Sequence, residues 1–145
     1  MKKGFTLIEL LVVVALIGVL TTLVMANLAS GRERSRDAQR KSDLRSMSTA
    51  LRLYYNDKGV YPATGYFDSL WGLEWAESGT VYMSKTADDP IPGRDYKYQV
   101  GSDSDPTDTD SFILSACLEN PSDDKGVTTL DTTWCPEGWM YQARP

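Results

Sequence analysis

Apolar and polar positions are distributed very unevenly along this chain. From Phe5 to Ala29 the sequence FTLIELLVVVALIGVLTTLVMANLA carries a single charge, Glu9, and no proline. As a helix, about 25 residues at 1.5 Å each reach roughly 37 Å, enough to cross a hydrocarbon core of about 30 Å with some tilt. The pattern predicts a membrane-spanning helix over 5–29. After Ser30 and Gly31 the chain turns strongly polar but keeps a stripe, Leu44, Met47, Leu51 and Tyr54, at helical spacing, which predicts an amphipathic helix over about 32–57. Ser42, Ser46 and Thr49, with Arg45 and Arg52 beside them, fall on the solvated side. Asp37 and Lys41 are spaced for an i,i+4 ion pair worth a few tenths of a kcal/mol. Asn56-Asp57-Lys58-Gly59 supplies a left-handed stop, and Pro62 forbids continuation. The two segments make either one continuous helix or two joined by a hinge at Ser30-Gly31, where an interior glycine costs up to about 1 kcal/mol.

Residues 59–93, rich in Gly, Pro and aromatics, read as a connecting loop with one short helix around Asp68 to Glu77, from which Trp71, Leu73 and Trp75 pack down on the long helix. Tyr96 to Val100 alternates like a half-buried strand, and Ser111 to Cys117 continues as a more apolar one, so residues 94–145 are expected to hold an antiparallel hairpin and a C-terminal loop. The expected fold class is α+β, a long N-terminal helix packed on a small antiparallel sheet, with residues 30–145 as the domain outside the membrane.

Composition narrows the function. A 145-residue chain with its first thirty residues nearly all apolar leaves room for one small domain. A net charge of −5 argues against direct nucleic-acid binding. With no histidine, neither a Ser-His-Asp nor a Cys-His site can be built, and no catalytic constellation is recognisable. The two cysteines, Cys117 and Cys135, suit a single disulfide outside the cytoplasm; two buried free thiols are the other reading. Asp103, Asp105, Asp108 and Asp110 crowd the loop between the expected strands. Calcium takes about six to eight oxygens, which such a loop could supply, although it lacks the glycine and terminal glutamate of an EF-hand; a solvated acidic loop with no bound cofactor is the plainer reading.

A cleaved secretory signal would also explain a basic start, Lys2 and Lys3, but its apolar core is usually about 7–15 residues, shorter than this run. Arg32, Arg34, Arg36, Arg40 and Lys41 after the run outnumber the lysines before it, so charge counting alone would place the C-terminus in the cytoplasm, whereas the cysteine pair points the other way. Glu9 is the costly residue, a carboxylate about 6 Å along the helix from Phe5. It is either an interfacial glutamate reaching water or, after a cut behind Gly4, a partner for the new Phe5 amine of a neighbouring copy.

The segment Lys3-Gly4-Phe5-Thr6-Leu7-Ile8-Glu9 resembles the class III prepilin signal of type IV pilins and type II secretion pseudopilins. Ala38-Gln39-Arg40-Lys41-Ser42-Asp43-Leu44, then Ala50 to Tyr55, Gly59-Val60-Tyr61-Pro62, Asp89-Pro90 and Tyr96-Lys97-Tyr98 are similar to the small major, G-like pseudopilins. The proline that many members carry before Asn-Leu is Ala26 here, which favours continuous helix. The resemblance implies a type IV pilin-like fold, a leader over 1–4 cut between Gly4 and Phe5 by the prepilin peptidase, N-methylation of Phe5, and Glu9 acting in assembly. It further implies a helical homo-oligomeric filament, an inner-membrane assembly platform, minor pilins or pseudopilins as partners, and a single-pass topology with the N-terminus cytoplasmic and the domain extracytoplasmic. Many pilins have a C-terminal disulfide like Cys117 with Cys135, and G-like pseudopilins hold calcium in C-terminal loops. The competing reading is a membrane-tethered binding domain that does not polymerise.

Overall fold

The structure, a computed structural model, describes residues 4–102 and 105–145 and, within the helix, every side chain except those of Leu23, Ala26 and Asn27. It divides into two compact units, Met1–Ser35 and Arg36–Pro145. One helix, α1 (Leu7–Lys58), contributes to both. In the first unit α1 runs through Ser30 and Gly31 without a break in helical structure. Hydroxyls inside the apolar run are satisfied locally: Thr21 donates to the Ile17 carbonyl and Thr22 to that of Val19. This back-bonding satisfies each hydroxyl within the helix itself.

In the second unit α1 buries Leu44, Met47 and Leu51 completely and Tyr54 nearly so, as the stripe predicts. Ser42, Arg45, Ser46, Thr49 and Arg52 face solvent. The helix stops where Gly59 takes φ +75° and its N–H bonds the Tyr55 carbonyl at 2.8 Å.

The stretch after the helix corrects the expectation of a short helix around 68–77. Turns occupy 64–72, followed by a hairpin of β1 (Trp75–Glu77) and β2 (Thr80–Met83). Gly72, at φ +76° with Asp88 against it, cannot continue a helix. Ser78 and Gly79 both take positive φ, the backbone that a two-residue hairpin loop requires. Of the three residues expected to pack on α1, Trp75 is fully buried and stacks on Tyr54 at 5.4 Å. Trp71 is half-buried against Phe67 and Tyr96, and Leu73 is exposed.

The expected second hairpin is present as β3 (Lys97–Val100) and β4 (Phe112–Cys117), antiparallel with Tyr98 opposite Leu114. It is half of a larger sheet. β5 (Val127–Thr128) and β6 (Trp139–Ala143) complete the order β3-β4-β6-β5. β4, paired on both edges, is buried at every position, which explains its continuous apolar sequence. Cys117 at its end is bonded to Cys135, closing a separation of 18 residues.

Candidate functional site

Two constellations stand out, one in each unit. In the first, Gly4, Phe5 and Thr6 precede the helix, and Phe5 is 88% exposed. Thr6 and Glu9 form a reciprocal cap: the Glu9 carboxylate accepts from the Thr6 N–H at 2.8 Å and its hydroxyl at 2.7 Å, and the Glu9 N–H donates to Thr6 Oγ1 at 3.3 Å. A Thr-x-x-Glu box satisfies two of the donors that a helix N-terminus leaves open. Thr6 was not singled out from the sequence, although that spacing before an apolar run is its signature. Behind the cap, the described apolar side chains from Leu7 to Leu28 are exposed, Leu7 at 82% and Leu28 at 50%.

Such a continuous apolar surface requires a lipid or protein cover. Among the described residues no helix is long and apolar enough to cross a membrane. Side chains are described without interruption only over Leu7–Thr22, about 24 Å of helix. The apolar sequence itself continues to Ala29.

In the second unit a buried ion cluster is centred on Arg40. Its Nε and Nη2 grip the Asp89 carboxylate at 2.7 and 2.9 Å, while Nη1 donates to Asp37 at 2.8 Å and Glu119 at 2.7 Å. The Arg40 side chain is 0% exposed, Asp37 3%, Asp89 2% and Glu119 12%. The Asp37 carboxylate also accepts the backbone N–H groups of Glu119 and Asn120. Hydrogen bonds from Arg36, and less so from Arg40, hold the Glu119 carboxyl at about 2 despite burial. Burial alone would lower the Arg40 guanidinium, but its three carboxylate partners raise it overall.

The expected Asp37–Lys41 pair is therefore not made. Asp37 turns inward to Arg40, and Lys41 pairs with Asp123. The sequence marks Arg40 as one of the charges after the apolar run and as part of the Ala38 to Leu44 resemblance, but not as the centre of a cluster. Two of its three partners, Asp89 and Glu119, are too distant in the chain to leave a local signal.

The remaining candidates are loop residues. Asp103 lies outside the described residues. Asp105 accepts from the Thr107 N–H and hydroxyl, Asp108 from the Asp110 N–H and the Ser111 hydroxyl, and Asp110 from the Tyr55 hydroxyl at 3.1 Å. Asp105, Asp108 and Asp110 do not bring their carboxylate oxygens within 4.8 Å of one another as a set. The one such group of ligand-type residues among those described is Cys117, Cys135 and Glu137, whose sulfurs are already joined in the disulfide.

Residues 1–25 match the family model for the prokaryotic N-terminal methylation motif. The chain is 32% identical over 128 residues to type II secretion system core protein G of Vibrio cholerae, covering 79% of this chain and 81% of that one. It is 32% identical over 111 residues to the core protein G of Pseudomonas aeruginosa, with 67% and 72% covered. The type IV major pilin protein PilA of Myxococcus xanthus is 37% identical over 60 residues, 41% of this chain and 27% of that protein. No solved structure matches the chain.

Proposed function

The chain belongs to the type II secretion system core protein G family of pilin-like proteins, and from that premise we propose that it is a structural subunit of a secretion pseudopilus or type IV pilus-like filament. The observation that carries this reading is the N-terminal helix, whose described apolar side chains between Leu7 and Leu28 are exposed behind the Thr6–Glu9 cap. In a membrane, lipid covers that surface. On leaving the membrane, only equivalent helices of other copies replace the lipid without exposing it to water.

Residues 1–4 are the leader, removed by a prepilin peptidase between Gly4 and Phe5, and the freed Phe5 amine is methylated. That amine stands one helical turn from Glu9, so the amine of one copy neutralises the Glu9 of the next and lowers the cost of burying it among apolar helices. The N-terminus lies in the cytoplasm, the domain from residue 30 lies outside the membrane, and an inner-membrane platform with minor subunits supports growth. The role is structural; the chain's own chemistry is limited to being cut and methylated.

Intact-mass and N-terminal analysis of the protein recovered from its own envelope tests the processing. A methylated chain beginning at Phe5 supports it, whereas one beginning at Asn27 or Arg32 refutes it. Glu9→Ala separates a subunit from a tethered binding domain: the variant still inserts but yields no filaments, and a variant that assembles normally removes the role given to Glu9.

A further inference from the structure

A pocket of about 210 Å³ lies apart from both constellations, lined by Asp68, Trp71, Asp95, Tyr96, Lys97 and Trp134. Its two indoles are partly exposed and are held from behind. Trp71 lies against Phe67 and, edge-on, Tyr96, with ring centroids 5.5 and 5.8 Å away. Trp134 donates its indole N–H to the Asp95 carbonyl at 2.8 Å. The polar groups of the lining sort by partner. Tyr96 is buried and donates its hydroxyl to Asp43 on the helix. Lys97 is paired with Asp131, and its ammonium sits 4.8 Å from the Trp134 ring centroid. Asp68 and Asp95 are exposed, and among the described residues their carboxylates have no hydrogen bond or ion pair. What the pocket has left to offer is aromatic surface and two negative charges.

We propose that this pocket binds the guanidinium of an arginine carried by a partner protein. The face of an indole attracts a cation, and Lys97 shows that Trp134 accepts one. A flat guanidinium lies against indoles better than a tetrahedral ammonium does, and its fork of N–H donors can serve two carboxylates at once. The space is smaller than the roughly 300–1,000 Å³ of sites for drug-sized ligands, so it suits one side-chain head rather than an oligosaccharide. Within a polypeptide an arginine has no α-carboxylate for Asp68 and Asp95 to repel, which favours a protein-borne arginine over the free amino acid. The site does not depend on whether the chain polymerises.

The probe is N-acetyl-arginine amide, titrated into the full-length chain in detergent micelles with its four tryptophans labelled by nitrogen-15. The indole N–H resonances of Trp71 and Trp134 are expected to move saturably, with a dissociation constant of about 1–10 mM, while that of the buried Trp75 stays in place. The neutral isostere N-acetyl-citrulline amide should bind at least about fivefold more weakly, and free arginine more weakly than its capped form. D68N with D95N changes two exposed side chains and should weaken the capped arginine about fivefold, with an unmoved Trp75 resonance showing that the fold is intact. No saturable movement, equal binding of the citrulline compound, or unchanged binding in the double variant overturns the proposal. Stronger movement with glucose than with the capped arginine does so too, because the indoles then serve a sugar ring. Tighter binding of free arginine overturns the assignment to a partner protein.

Discussion

Replacing Arg40 with methionine probes the domain's most consequential polar site. The guanidinium is 0% exposed and makes four charge-assisted bonds to three carboxylates. Without it, Glu119 keeps Arg36, and Asp37 keeps two backbone N–H donors. Asp89 is left with one, the Ile91 N–H, and is the group that must either remain charged and buried or take up a proton. Breaking a buried pair from one side costs about 3–5 kcal/mol, a large share of the roughly 5–15 kcal/mol that holds a domain together. In a soluble fragment beginning at Ser30, this is a fall in melting temperature of about 15–30 °C. Urea unfolding of Arg40→Met, Asp89→Asn and the double variant measures it. The double variant should recover at least half of the loss. A loss below about 1 kcal/mol, or a double variant no better than Arg40→Met, refutes the reasoning.

Four further outcomes are expected. The Glu119 carboxyl, at about 2 in the fold against an ordinary 4.5, contributes about 3 kcal/mol that is fully present above pH 4.5 and disappears as pH falls toward 2. Asp123, lowered by Lys41, acts in the same direction, whereas Asp43, raised by burial, opposes it; acid unfolding of wild type and Glu119→Gln separates the contributions. Reducing the Cys117–Cys135 bond, which spans 18 residues, costs about 3 kcal/mol in the chain-entropy account, read as a shift in the urea midpoint. A Cβ added at Gly126 would lie 1.8 Å from the Trp139 indole nitrogen, so Gly126→Ala should destabilise by about 1–3 kcal/mol and alter the tryptophan fluorescence. A chelator titration is expected to leave the melting temperature unchanged, because the Asp105 and Asp108 carboxylates already accept from their own loop; a fall reversed by added calcium would assign the loop a metal.

What was legible in the sequence was local and periodic. Leu44, Met47, Leu51 and Tyr54 define the buried helix face by spacing alone, Gly59 marks its end, and the alternation of Tyr96 to Val100 beside an apolar Phe112 to Cys117 identifies the β3–β4 pair. The first hairpin was missed because Asp68 to Glu77 was read for helix despite Gly72, while Ser78-Gly79 between two short aromatic runs is a turn signal. β6 does not alternate cleanly, since all five of its residues are half-buried, and β5 is too short to show a period. Thr6 was visible as a Thr-x-x-Glu box but was overshadowed by the apolar run behind it. The Arg40 cluster was not legible, because Asp89 and Glu119 meet it only through the tertiary fold and the i,i+3 spacing of Asp37 does not distinguish a buried pair from a solvated one.

Two of the three partners of Arg40, Asp89 and Glu119, lie 49 and 79 residues further along the chain. During synthesis at about 5–20 residues per second, roughly 4–16 seconds separate the emergence of this arginine from that of Glu119. Through that interval the guanidinium stays hydrated, and its segment of helix cannot settle against a sheet whose second strand is still being made. The cluster thus acts as a latch that closes late, after most of the domain has emerged, and a nascent chain stalled before Glu119 should remain open to protease where the completed one is not.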